Sequence, residues 1–417
     1  MSRHRTRLLR LALAVGLLGV SCGGGSGAAD EGSVPVKVGL LYTLSGFGGD
    51  LAQAALGSAA LAATDGNGRG YEIEIVDADY GGKPKRAAGV AERLADQGVA
   101  GIVVASDDPA LVDALSEFDR VPLLYALIAD DEAVSTDSAS FRVAPSNSLQ
   151  AETLAGFMVD DRGYKRVVVV NDDTDFGRAG GDAIEQRLES EGARVVLREE
   201  FERGGDVSTL TTTAGQKRAE ALVIWTEDTG ESARITIEAH TTRQSYQVVL
   251  SGNQATFRFG KNASSQVVPT AFVEGILSVG TWSGPWFDLP RMRGFYERFQ
   301  EENDALAPVQ AVQIYDAVLL IGEAARRADG ATAGAVVDGL ESIENFEGAG
   351  VPLSFSPTDH EAIDTEDMAI LAFTKNPDSA GGDLAPDVST GGGFFTIDTI
   401  TAELPPELSY LLEGLPE

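Results

Sequence analysis

Cysteine is almost missing from this chain. One occurs in 417 residues, Cys22, so no disulfide forms within the chain and no cysteine cluster holds a metal. Histidine is nearly as scarce: His4, His240 and His360 are the three. They lie far apart in sequence, and no Gly-x-Ser-x-Gly elbow is present. The usual apparatus of hydrolysis is therefore lacking, and the chain reads as a binding protein rather than an enzyme, with no cofactor and no metal. Basic residues are also short, with 32 Lys plus Arg against 64 Asp plus Glu and a net charge of −32. Nucleic-acid binding rests on cations that neutralise phosphates, so no nucleic acid is expected as a partner. The apolar run Leu11–Val20 is ten residues long, too short for a membrane span of about 20 residues.

What is present begins with that run. Arg3, His4, Arg5, Arg7 and Arg10 precede it, and the small residues Gly19 and Ser21 stand near its end beside the cysteine, the layout of a secretory signal over 1–21. Cys22 comes next, then Gly23-Gly24-Gly25-Ser26-Gly27, so 22–33 reads as a flexible tether. This resembles a bacterial lipoprotein signal, which implies lipidation of Cys22 and an extracytoplasmic, membrane-anchored body. Hydrophobic residues make up 43%, enough for a globular body of two domains.

Beyond the tether, strand and helix patterns alternate. Val36–Leu41, Tyr71–Val76, Val99–Val104 and Val121–Leu124 read as strands, with helices opened by Pro84 and Pro109 between them. Phe141–Ser146 breaks the rhythm at Pro145 and reads as a crossing between lobes. Strands at 166–170, 194–198, 220–225 and 246–250 follow, separated by helices at 178–191, 207–216 and 230–241. The fold class expected is α/β, with two doubly wound parallel-sheet lobes. Lobe 1 takes 34–144 plus 280–348 and lobe 2 takes 145–279 plus 349–417. Within this scheme Gly275–Val279 is expected to lead back to the first lobe, and strands near Val351–Phe355 and Met368–Phe373 to complete the second.

Several stretches then line up with a known family. Val38–Gly46, Phe141–Ser146, Asp172–Gly177, Gln313–Val318 and Ser354–His360 occur in the order and spacing of type I periplasmic binding proteins of the branched-chain amino acid class, which the chain resembles from residue 34 onward. The resemblance implies a clamshell with three crossings. It would capture a small polar ligand, an amino acid or related amide or acid, and deliver it to the permease and ATPase of an ABC importer. A sensor of the same fold that signals through a membrane partner is the alternative. The matching positions place Ser45, Gly46, Ser106 and Asp107 on one side of the ligand, with Tyr125 beyond. Phe176, Trp225, Glu227 and Asn253 stand on the other side, and Tyr315 on a late helix. Phe176 stands where the family has tyrosine, and Ser251–Gln254 where it has an acidic residue. Glu227 or Asp107 is the substitute partner for a ligand ammonium.

Two other patterns have plainer readings. Gly46-Phe47-Gly48-Gly49 fails the dinucleotide spacing, because Leu51 stands at the last glycine position. Asp172, Asp173 and Asp175 lack the spacing of a calcium loop. They are expected to be solvated and to cap a helix beginning at 178.

Overall fold

The computed structural model describes residues 33–45, 51–226, 228–243, 245–252, 276–281, 290–303, 307–308, 310–374 and 393–396. Two sheets organise them. The first contains β1 (Val34–Tyr42), β2 (Tyr71–Asp79), β3 (Gly101–Val104), β4 (Leu123–Tyr125) and β5 (Ser140–Arg142), in the order β2-β1-β3-β4-β5. Every pairing in it is parallel. Helices α1 (Ala52–Gly66), α2 (Ala87–Asp96) and α3 (Ala110–Leu115) make the connections between its first four strands. β3 is apolar and buried at every position after Gly101, as suits a strand covered on both faces. β2 lies at the edge, and Tyr71–Glu74 alternate buried and exposed. β5 adds a strand to the expected pattern, so the crossing proper narrows to 143–146.

The chain then enters α4 (Asn147–Gly156) and builds the second sheet. In sequence come β6 (Arg166–Asp172), α5 (Asp175–Ser190), β7 (Arg194–Phe201), α6 (Ser208–Gln216), β8 (Ala221–Trp225), α7 (Thr229–Thr241), β9 (Gln247–Leu250) and β10 (Leu277–Thr281). Far later β11 (Met368–Thr374) and β12 (Gly393–Thr396) complete the order β12-β11-β10-β9-β8-β6-β7. β6 to β10 pair in parallel, whereas β10, β11 and β12 pair antiparallel. The four valines of β6 serve both faces. Val167 and Val169 join one apolar cluster, and Val168 and Val170 join another with Leu210 and Ile235.

Two expectations change here. Gly275–Val279 does not lead back to the first sheet: β10 is hydrogen-bonded to β9 and β11. Val351–Phe355 is not a strand of the second sheet. Leu353 bridges back to Phe346, and Phe355 packs edge-on against Phe141 of β5 at 5.2 Å. His360 stacks on the same phenylalanine at 4.1 Å. Burial against Phe141 draws this segment to the first sheet.

The remaining helices are α8 (Pro290–Asn303), α9 (Gln310–Arg327) and α10 (Ala333–Glu341). α9 covers α1 and strands β1 to β3, α8 lies against α1, and α10 lies on α9. The chain thus passes between the sheets three times: at 143–146, between Thr281 and Pro290, and between Glu361 and Met368.

Two glycines let α5 pack directly onto Asp172 and Trp225 of its sheet. A Cβ at Gly177 would stand 2.1 Å from the Asp172 carboxylate, and one at Gly180 would stand 1.8 Å from Trp225 Nε1. Neither site has room for a methyl group. Gly180→Ala is expected to push the indole or the helix aside and lose about 1–3 kcal/mol, the usual penalty of overpacking. A lowered denaturation midpoint at unchanged slope is the measurement.

Candidate functional site

In an open parallel sheet, ligands bind beyond the carboxyl ends of the strands, where the strand order reverses. The reversal falls between β1 and β3 in the first sheet and between β6 and β8 in the second. Both points carry polar residues.

Beyond β1, the buried Thr43 hydroxyl donates to Ser45 O at 2.7 Å and accepts from Ser45 N at 3.2 Å. This local turn leaves Ser45 exposed. Beyond β3, Ser106 is 1% exposed. Its hydroxyl shares a hydrogen bond with the Tyr80 hydroxyl at 3.0 Å and accepts from Asp108 N at 3.3 Å. Tyr80 closes β2, and burial pushes its hydroxyl up to about 12, with Asp108 and Asp107 adding to the shift. Burial also raises the Asp108 carboxyl. On the β2 side, Asp79 accepts from Leu44 N at 3.3 Å and Gly81 N at 2.6 Å. The first edge therefore exposes Ser45 above a buried layer in which the Ser106 and Tyr80 hydroxyls are backed by carboxylates. Such a surface suits a polar ligand head, above all one with ammonium or other donors.

The second edge is built around Asp172, which is fully buried. Its Oδ2 accepts from Thr226 Oγ1 at 2.5 Å and lies 3.4 Å from Arg203 Nε. Its Oδ1 accepts from the Thr174 hydroxyl and, at 3.3 Å, from Thr174 N. Thr174, not an aspartate, caps α5 by accepting from Gly177 N at 2.9 Å. The expectation of solvated, capping aspartates fails for Asp172, because a carboxylate at the end of a buried strand points inward and is satisfied there. Asp173 and Asp175 are exposed as expected. α5 also begins three residues early, which puts Phe176 in its first turn.

The second edge is tied to the first crossing. Asn147 opens α4 five residues after the end of β5, and its Oδ1 accepts from Trp225 Nε1 at 3.3 Å. Trp225 itself ends β8. Asn147 Nδ2 and Asn171 Oδ1 are buried without a hydrogen-bond partner among the described residues. Gln150 Nε2 donates to Pro145 O at 3.1 Å while its Oε1 accepts from Gly252 N at 2.8 Å, tying the crossing to the end of β9.

The fold has known parallels. A family model described as periplasmic binding protein matches residues 35–378. The chain belongs to the periplasmic binding protein family. Members of this family are solute-binding proteins of type I fold, related to those of branched-chain amino acid ABC transporters. A curated relative, an amino acid binding protein of Pseudomonas aeruginosa, is 28% identical over 158 residues, 37% of this chain and 42% of the relative. The match thus spans less than half of that protein's length. Among solved structures, an ABC transporter substrate-binding protein from Sphaerobacter thermophilus superposes with a TM-score of 0.72 at 20% identity, covering 87% of this chain and 97% of that one. The branched-chain amino acid transporter substrate-binding protein LivJ of Streptococcus pneumoniae, solved with isoleucine, gives 0.66 at 20% identity, covering 87% and 99%.

Against this family background the expected site residues divide. Ser45, Ser106 and Asp107 lie at the first switch point, and Trp225 and Phe176 at the second. Trp225 is 0% exposed, and Phe176 packs beside it with ring centres 6.5 Å apart. Both are core in this conformation. Tyr125 ends β4 in the first sheet's core, where burial raises its hydroxyl. Tyr315 departs most. Its hydroxyl donates to Asp65, near the end of α1 farthest from the carboxyl edge, and Arg298 grips the same carboxylate at 2.5 and 2.7 Å. Burial works to raise Asp65, but these bonds outweigh it and hold the carboxyl below its ordinary range. Tyr315 thus packs α9 against α1 and α8, away from both switch points. Cys22, Gly46, Glu227 and Asn253 lie outside the described residues.

Sequence reasoning missed Tyr80, Asn147, Asn171 and Asp172. One signal marks Asn171 and Asp172: a polar pair ending a run of four valines. Among the described residues no cluster of three His, Cys, Asp or Glu side chains is placed to hold a metal, and no helix is long and apolar enough to cross a membrane.

Proposed function

We propose that the chain is a lipid-anchored solute receptor that closes two lobes on a small polar ligand and hands it to an ABC importer. The first lobe takes 34–144 and 290–361, and the second takes 145–281 and the chain from 368 onward, so β10 and the segment at 351–361 each change sides from the expected division. The observation that carries this reading is the pair of polar switch points, one on each of two sheets between which the chain passes three times. Three thin crossings let such bodies rotate, and a ligand that touches both shifts the balance towards closure. The Cys22 signal supports the anchor, and the family supports the importer. An amino acid or a related amide or acid fits hydroxyls and carboxylates on one wall and buried amides on the other.

The test is a thermal-shift screen with the twenty amino acids, small amides, urea and aromatic acids. A ligand at 100 times its dissociation constant adds about 2.7 kcal/mol to the folded state, a shift of several degrees. Ser106→Ala should then weaken binding of the hit by about 1–3 kcal/mol, since a ligand group loses its buried partner. Equal affinity of the variant and the wild type by calorimetry would remove Ser106 from the site. No hit in any class would count against an amino acid-like ligand.

A further inference from the structure

We propose that Arg142 is a positioning residue whose buried guanidinium sets how far the two lobes part. The inference rests on the two-lobed reading above.

Arg142 is the last residue of β5, immediately before the first crossing, and its side chain is 0% exposed. Nη2 donates to Glu361 Oε1 and Nη1 to the carbonyl of Asp130. The backbone makes the same connection. Arg142 N donates to His360 O at 2.9 Å, and Ala362 N donates to Arg142 O at 2.9 Å. Residues 360–362 lead directly into the third crossing, so Arg142 staples the first crossing to the third where both leave the first sheet. Its other partner reaches forward. The loop that holds Asp130 also receives the start of α4, with Asn147 N donating to Ala129 O at 2.7 Å and Ser148 N to Asp131 Oδ1 at 3.1 Å. One guanidinium therefore ties the chain entering the third crossing to the loop that receives the end of the first.

Chemistry points the same way. Burying a guanidinium against a single carboxylate is a poor source of stability, since desolvation offsets the attraction. Among the described residues Nε has no acceptor. What the pair supplies is geometry: a planar fork fixes the angle between its partners, which a lysine ammonium does not. Glu361 is one-third exposed, 33%, so water can replace it when the staple opens.

The test reads lobe separation directly. Nitroxide labels at K83C and E202C, in a C22S background, sit on exposed positions just past the carboxyl ends of β2 and β7. Pulsed electron paramagnetic resonance gives their distance distribution without ligand. E361A and R142K should both shift the mean to longer distance and broaden the distribution relative to wild type. Circular dichroism and a single cooperative melt establish that each variant is folded. E361A carries the test if R142K does not fold, because its lost carboxylate is partly solvated. Folded variants with the wild-type distribution would overturn the proposal. Adding an equimolar mixture of the twenty amino acids to the wild type tests the ligand reading separately. A distribution that stays unchanged there speaks against that ligand class, while the comparison of variants with wild type still decides the role of Arg142.

Discussion

Trp225→Ala should lower stability by about 3–5 kcal/mol, the range for a fully buried tryptophan cut back to alanine. The indole is 0% exposed and lies against Phe176. It also occupies the space that Gly180 leaves open. Alanine removes that volume and strands the Asn147 carbonyl, which now accepts from the indole N–H. Trp225→Phe keeps most of the packing and loses the hydrogen bond, so its loss should be smaller, about 1–3 kcal/mol. Guanidinium unfolding of both variants checks the order. The result bears on function, because an aromatic ring at the end of β8 reads from sequence as a platform for a ligand. If Trp225→Ala loses only about 0.5 kcal/mol, as at a surface position, the ring faces solvent and the platform reading stands.

Asp316→Ala should lose about 2–5 kcal/mol, because two buried backbone donors each lose their partner. The carboxylate accepts from Ala349 N at 2.6 Å and Gly350 N at 2.9 Å, pinning the 348–350 turn against α9. Gly348 belongs to the same contact, since a Cβ there would stand 2.0 Å from Oδ1. Burial pushes the Asp316 carboxyl up from 3.8 to about 6, against the pull of the two N–H donors. The folded chain therefore holds this proton more tightly than the unfolded chain does. The resulting contribution to stability is complete below the unfolded value and is lost as pH rises through the folded one. The loss amounts to about 3 kcal/mol. Stability of the wild type minus that of Asp316→Asn, followed by urea unfolding from pH 4 to pH 7, should fall with rising pH. A difference that rises instead would mean that the N–H donors outweigh burial.

Much of this architecture was legible because buried parallel strands announce themselves. The four valines of β6 and the Ile-Val-Val of β3 have no other economical explanation. β5 was not legible: it has three residues and ends in a buried arginine, so neither periodicity nor hydropathy marks it. The sheet that β10 joins depends on a partner some ninety residues away, β11, which no local pattern reveals. At the site, position at a strand end located Ser106 and Trp225. Whether a side chain there points into a cleft or into the core is set by packing. Trp225 turns inward because Gly180 lets it, and Asp172 is sealed by Thr174, Thr226 and Arg203. Three aspartates alike in sequence thus end in different surroundings.

The path of α9 has a consequence for how the chain acquires this structure. β1 to β3 end by residue 104, yet the helix that covers them spans Gln310–Arg327. The sheet that is made first is thus among the last to be completed. Until α9 arrives, the apolar face of β1 that includes Val38 and Leu40 lacks its cover. β6 to β9, with the helices between them, form one continuous stretch and need no such distant partner. Contacts separated by more than two hundred residues close slowly, because loop entropy is lost before they form. Refolding should accordingly proceed from the middle of the chain outward, with the N-terminal strands exposed and prone to association in the interval.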